Sequence, residues 1–163
     1  MQLKYNKLRI YEVKKEYLNY LCEFDNNVRR KNERRYTGIL VRNNNIDYCI
    51  PLTCQIKKRN PKLTIDIKDG NTIISQLTIN NMIPVTEDLI NMVDITNDRD
   101  KDYLNKEIQY LRKEYVINSI IEKTNNVIKV IHDENNQDYK FFKSLCANYD
   151  MLEEKCIEYI NKD

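Results

Sequence analysis

Thr53 and Cys54 stand side by side at the end of an apolar run, Ile46–Leu52, and Lys57 follows three residues later in the string TCQIKKR. A hydroxyl, a thiol and an ammonium at a strand end are the parts needed to hold a phosphodiester, supplying hydrogen bonds to its oxygens and a counter-charge. Two basic runs flank this cluster. Arg29, Arg30, Lys31, Arg34 and Arg35 precede the strand pair, and Lys57, Lys58, Arg59 and Lys62 follow it. The formal net charge is only +2, because 27 basic residues nearly cancel 25 acidic ones, so the distribution carries the argument. Either run alone reads first as solvated loop charge. Both at the edges of one strand pair bring the electrostatic footprint of a nucleic-acid site level with that reading, and the polar cluster points to RNA.

Several chemistries are excluded. The single histidine, His132, follows an apolar segment and reads as a helix-end residue, so cleavage by a histidine pair is closed to one chain. Asp98, Asp100 and Asp102 mimic the first ligands of a calcium loop, but Tyr103 stands where the turn glycine is needed and Gln109 where a bidentate glutamate is needed. That run reads instead as helix-start charge. No carboxylate pair recurs at a two-metal spacing. The cysteines at 22, 49, 54, 146 and 156 lack CxxC spacing, and a cysteine nucleophile would need a histidine partner, for which His132 is a poor candidate. No metal or cofactor is expected. Without a signal peptide or long apolar run, the expectation is a cytoplasmic protein with reduced thiols and no membrane span. What remains is a metal-free site of hydroxyl, thiol, Lys and Arg groups. It suits attack by the adjacent 2′-OH of RNA, where the protein aligns the reacting atoms and neutralises the phosphorane charge. DNA, lacking that hydroxyl, should survive.

The elements that must position these groups follow from periodicity. At 163 residues the chain is read as one domain, with a β-rich core over about 1–98 and a helical layer over about 99–163. Leu3–Tyr11 alternates as a first strand, and Glu12–Asp25 has helical period with Val13, Tyr17, Leu21 and Phe24 on one face. Tyr36–Val41 and Ile46–Leu52 read as strands joined through Asn43-Asn44-Asn45, since Asn tolerates positive φ. Leu63–Ile67 and Thr72–Ile79 alternate around a Lys68–Asn71 turn, and Pro84 restricts Met82–Val85 to an edge or a strand end. Helices are predicted from the N-cap candidate Asp100 (Leu104, Ile108, Leu111 and Tyr115 in register), over Asn125–Ile131, and over about Gln137–Ile160. Strands first and helices later give an α+β fold: a small antiparallel sheet or barrel packed by helices.

In this order the chain resembles the endoribonuclease toxins of type III toxin–antitoxin systems, the ToxN/AbiQ family. The end of the first predicted helix, EFDNNV, is similar to the family's YLxxFDxxV element. Asn32–Ile39, NERRYTGI, resembles the basic-aromatic-x-Gly lead into a core strand, and Tyr48–Cys54, YCIPLTC, corresponds to a Y-x-x-PLTS signature. Leu77–Val85, LTINNMIPV, is close to INLNNMIPV, the most specific piece, and Phe142–Cys156 resembles the Cys-x-x-aromatic-x-x-Leu-Glu final helix. The resemblance covers nearly the whole chain. It implies a compact sheet core of the Kid/MazF toxin type with added helices, and sequence-selective RNA cleavage leaving a 2′,3′-cyclic phosphate and a 5′-hydroxyl. It also implies a structured RNA antitoxin, cut from a tandem-repeat precursor and held in a closed protein–RNA assembly, and a role in abortive defence against phage. The substrate would be cellular or phage RNA.

Carried over residue by residue, the resemblance makes Thr53 the threonine of the PLTS signature and puts Cys54 in the place of its serine. A thiol donates hydrogen bonds more weakly than a hydroxyl but ionises more readily, so Cys54 is either a base or a passive occupant. Lys57 is the choice for phosphate stabilisation, with Lys58 one register away, and Arg34 is a candidate phosphate clamp. Tyr36, with Tyr5, Tyr11 and Tyr17, offers stacking surface for bases, although most tyrosines in a chain holding 12 belong to the core. Asn80 and Asn81 read as turn residues. Two other functions compete: a noncatalytic RNA-binding module, for which the replaced serine speaks, and a toxin directed at a protein target.

Overall fold

The computed structural model describes residues 1–28 and 35–162. The alternating segments form an antiparallel sheet of eight strands, β1 (Gln2–Leu3), β2 (Tyr11–Val13), β3 (Thr37–Asn43), β4 (Ile46–Thr53), β5 (Thr64–Asp69), β6 (Thr72–Thr78), β7 (Ile83–Val85) and β8 (Ile90–Met92). Their order is β5-β6-β4-β3-β2-β8, with β1 on β3 and β7 on β4. Both hairpins turn where Asn and Gly supply left-handed backbone: Asn44 at φ 53° between the paired residues Asn43 and Ile46, and Gly70 at φ 61° between Asp69 and Thr72. β7 pairs with β4 alone, which accommodates Pro84.

β4 is the strand that carries the site, and two residues let it reach there. Gly38 pairs with Pro51, and a Cβ at Gly38 would come within 2.3 Å of the Ile50 carbonyl oxygen, so only glycine permits that approach of β3 to β4. Pro51, with no N–H to pair, falls where β4 changes partner: Asp47–Cys49 bond to β7, and Leu52 and Thr53 bond to β6.

The helices depart from expectation in their bounds. Of the first predicted strand, Leu3–Tyr11, only the two end residues are extended in strands, Leu3 in β1 and Tyr11 in β2, and Val13, expected on a helix, is the end of β2. Helix α1 spans only Lys15–Cys22, burying Tyr17, Leu18 and Leu21, while Phe24 lies beyond it and exposed. α2 runs Lys101–Leu111 and stops, so Tyr115 belongs to α3 (Glu114–Ile131), where it is exposed rather than continuing the buried stripe. α3 is 18 residues long, far beyond the expected Asn125–Ile131. The long last helix is divided into α4 (Tyr139–Leu145) and α5 (Tyr149–Ile160). The break has a physical cause. Cys146 takes extended backbone, the Ala147 N–H bonds the Asn80 carbonyl at 2.9 Å, and the Asn148 N–H bonds Asp25 at 2.6 Å. Asn148 then caps α5 through the Met151 N–H.

The core is continuous from the sheet into the helices. Buried tyrosine hydroxyls tie the layers: Tyr17 donates to the Pro84 carbonyl at 2.7 Å, Tyr149 to the Ile79 carbonyl at 3.0 Å, and Tyr48 to Glu153 of α5. The tyrosine of the Y-x-x-PLT segment thus grips the glutamate of the last helix. Among the described residues no helix is long and apolar enough to cross a membrane.

Candidate active site

Thr53 is the last residue of β4 and the cross-strand partner of Gln76 on β6. Its Oγ1 accepts the Gln55 N–H at 3.2 Å, bending the chain at Cys54, and the Ile56 N–H bonds the Cys54 carbonyl at 3.1 Å. The chain arches outward through Cys54, Gln55 and Ile56 and comes back to the same residue it left. The Gln76 side chain accepts the Lys57 N–H at 3.1 Å and donates to the Lys57 carbonyl at 2.9 Å. Gln76 also donates to Asp66 at 2.8 Å and accepts from Arg59 at 3.0 Å.

Beyond the arch, the loop is pinned from the helical side. The Lys123 ammonium of α3 donates to the carbonyls of Pro61 and Thr64 at 2.6 and 3.0 Å, and burial lowers its pKa. Lys62 pairs with Asp138 at 2.6 Å, just ahead of α4. On the α2 side, Tyr103 donates to the Ile74 carbonyl at 2.9 Å and lies beside Ser75, Glu107 and Cys54. Burial, with the Glu107 carboxylate and the Cys54 thiol, raises the Tyr103 phenol above its ordinary range.

Thr53 is half-buried and Cys54, Lys57 and Lys58 are exposed, so the hydroxyl, thiol and cations meet solvent where β4 ends. Lys57 and Lys58 have no acidic partner among the described residues. Arg59 is half-buried and held by Gln76.

Two expected RNA contacts take other places. Arg35 forms a fork with Asp98 at 2.5 and 2.9 Å and reaches Asp100 at 3.3 Å, which commits its charge to fastening the start of β3 to the α2 lead. Those carboxylates are therefore more than helix-start charge. Tyr36 is a core residue whose hydroxyl donates to the Asn81 carbonyl at 3.1 Å, so its ring has no face for a base; Tyr11 and Tyr17 are likewise buried. Arg29, Arg30, Lys31 and Arg34 lie outside the described residues. His132 closes α3, bonded to the Ile128 carbonyl and Asp150. Asn80 and Asn81 form the turn that docks on the α4–α5 break, Asn80 donating to the Leu145 carbonyl at 3.1 Å.

Sequence reasoning passed over Gln76, Asp66, Tyr103 and Lys123. The available signal was the adjacent polar pair Ser75-Gln76 between the apolar Ile73-Ile74 and Leu77 of one strand; both are buried.

Fold and site define a helix-covered antiparallel β protein with a polar, cationic strand-end site. The chain matches the family described as toxin ToxN of type III toxin–antitoxin systems over residues 9–157. It is 31% identical over 166 residues to the endoribonuclease ToxN of Bacillus thuringiensis subsp. kurstaki, covering 95% of this chain and 86% of that one. It is 29% identical over 175 residues to the endoribonuclease AbiQ of Lactococcus lactis subsp. lactis, covering 95% and 91%. A solved type III toxin, selectively inhibited by a non-coding RNA pseudoknot, superposes with a TM-score of 0.83 at 28% identity, over 94% of this chain and 98% of that one. The solved structure of AbiQ shares the fold with a TM-score of 0.78 at 22% identity, over 96% and 99%. The chain belongs to the ToxN family of type III toxin–antitoxin toxins.

Proposed function

We propose that this endoribonuclease toxin cleaves RNA at the end of β4, by in-line attack of the substrate's own 2′-OH on the adjacent phosphorus. The observation that carries the reading is the convergence of Thr53, Cys54 and Lys57 on one arch whose two ends are held by a single residue, Gln76. Lys57 offsets the charge that builds on the phosphorane, and among the described residues its charge is not spent on a carboxylate. Thr53 already accepts the Gln55 N–H, which leaves its own hydroxyl hydrogen to donate to a phosphoryl oxygen. Cys54 sits exposed between them, as a base for the 2′-OH proton or in the passive place of a hydroxyl. The products would be a 2′,3′-cyclic phosphate and a 5′-hydroxyl, with no metal required.

Lys58, Arg59 and Lys62 extend the cationic edge along the loop for substrate and antitoxin. A structured repeat RNA, processed by the toxin and enclosed with it in a protein–RNA assembly, is the proposed antitoxin; the non-coding RNA pseudoknot that inhibits the solved relative supports this. Cytoplasmic action on cellular or phage RNA, and a single toxin domain over 1–163, complete the reading; the continuous core supports the latter. Cys54, in the place of a hydroxyl, favours a second reading as a noncatalytic RNA binder.

Purified protein is incubated with RNA in EDTA and the ends are mapped. Cyclic-phosphate and 5′-hydroxyl ends, lost in Thr53→Ala with antitoxin-RNA binding intact, are the expected result. Intact RNA from protein that is toxic in cells overturns the reading.

A further inference from the structure

Gln76 is 4% exposed, yet its side chain faces the site rather than the apolar core, and all its hydrogen-bonding capacity near the loop is engaged. The pairing of β4 with β6 ends at Thr53↔Gln76. From there the carboxamide takes over as a surrogate peptide group. It gives Lys57 an acceptor for its N–H and a donor for its carbonyl, as a neighbouring strand would. The chain between these anchors is Cys54, Gln55 and Ile56, so one residue sets both the start and the end of the arch. We infer that Gln76 is a positioning residue for RNA cleavage, fixing the Lys57 ammonium relative to the Thr53 hydroxyl; this rests on the site reading above.

The chemistry is specific to an amide. Donor and acceptor are needed on one planar group, and among side chains of this length only glutamine has both without taking up a proton. The orientation of that amide is fixed as well. Asp66 accepts from Nε2 and Arg59 donates to Oε1, so a flipped carboxamide would face like with like on both sides. A buried polar group satisfied on every side holds one geometry. That is what a reaction limited by alignment requires.

In Gln76→Glu the donor is lost, and a carboxylate faces both the Lys57 carbonyl and Asp66. Adding Asp66→Asn restores a donor on the Asp66 side and removes the charge repulsion. Three quantities are read: the single-turnover cleavage rate, the affinity for an RNA with a 2′-deoxy residue at the scissile nucleotide, and the melting temperature. In folded Gln76→Glu the rate is expected to fall about 10²-fold, the cost of a misplacement of about 1 Å. Affinity for the 2′-deoxy RNA should stay within about threefold, since uniform binding is separate from transition-state alignment. The double variant should recover part of the rate. Should Gln76→Glu fail to fold, Asp66→Ala, which removes the acceptor that orients the carboxamide Nε2, should also lower the rate without loss of affinity. Parental rate in folded Gln76→Glu or in Asp66→Ala, or equal loss of rate and affinity, overturns the inference. Lys57→Ala measured in parallel separates the two levels. If it cleaves at the parental rate, the site reading itself fails; if it is inactive while Gln76→Glu is unaffected, only the role of Gln76 fails.

Discussion

Lys57 and Lys58 are adjacent, exposed and without an acidic partner among the described residues, yet they should respond very differently to alanine. Only Lys57 has its main chain held at both ends, by bonds of 3.1 and 2.9 Å to Gln76. A preorganised cation acts on charge that develops in the transition state, whereas an unheld one contributes mainly to binding. For a unit charge about 4 Å from the phosphorane, the attraction lies between about 1 kcal/mol in water and about 4 kcal/mol at the dielectric of a protein edge. Loss of one such group elsewhere costs about 10²–10³ in rate. Lys57→Ala should therefore cut single-turnover cleavage about 10²-fold or more, and Lys58→Ala only a few-fold. Both should lower the slope of log affinity against log salt for a 2′-deoxy single strand by about 0.7, the share of one neutralised phosphate. Lys62→Ala should change the slope less, because Asp138 already offsets that charge at 2.6 Å. A rate for Lys57→Ala within about fivefold of the parent, or a larger loss at Lys58, refutes the reasoning, since the margin rests on about 1 kcal/mol or more of charge stabilisation.

Cys54→Ser tests the thiol: unchanged or faster cleavage shows that it fills a hydroxyl's place, and lost cleavage, with a pH–rate profile stripped of its lower limb, shows a thiolate base. Asp47→Ala should be costly at the other end of β4. Burial alone would raise this carboxyl, but bonds from Arg42 at 2.6 Å and Lys4 at 2.7 Å hold it below the ordinary range, and the Lys4 side chain is only 3% exposed. Lys4 keeps Glu87 at 3.2 Å, so the cost should fall short of that of a fully orphaned buried charge and amount to about 1–3 kcal/mol, at about 2–4 °C of melting temperature per kcal/mol; a shift under about 2 °C refutes it. Because the Asp47 pKa is depressed, that stability is present above the unfolded value near 3.8 and is lost as pH falls through the folded one. His132 has the opposite sign. Its bond to Asp150 at 2.9 Å raises its pKa, so its contribution is complete below about 6.5 and lost as pH rises through the folded value. Half-exposed, the pair is worth about 0.2–1 kcal/mol; urea midpoints at acid and alkaline pH should converge in His132→Gln.

Much of the fold was legible in residues whose preferences are local. Asn44 and Gly70 marked both hairpins because few other residues adopt positive φ. Pro84 marked an edge because it lacks an N–H, and Thr53 was placed correctly at a strand end. Helix ends were less legible. The breaks after Leu111 and Leu145 leave the helical period of the apolar residues almost undisturbed. The second is made by partners far away in the chain, Asn80 and Asp25. Tyr36 and Arg35 looked like ligand residues because aromatic and basic side chains serve surface and interior alike. Their partners, Asn81 and Asp98, are 45 and 63 positions away.

By itself, the sequence determined the antiparallel α+β class, the adjacency of Thr53, Cys54 and Lys57 and the presence of a single histidine per chain, since composition and short-range periodicity suffice for each. The motifs it carries were enough to indicate the family. Tertiary structure alone decided which of the described cations are committed to carboxylates, which tyrosines are core, and how the cluster is held. Hydrogen bonds and ion pairs are satisfied in space, and Gln76 meets Lys57 across 19 residues of chain that no local pattern connects.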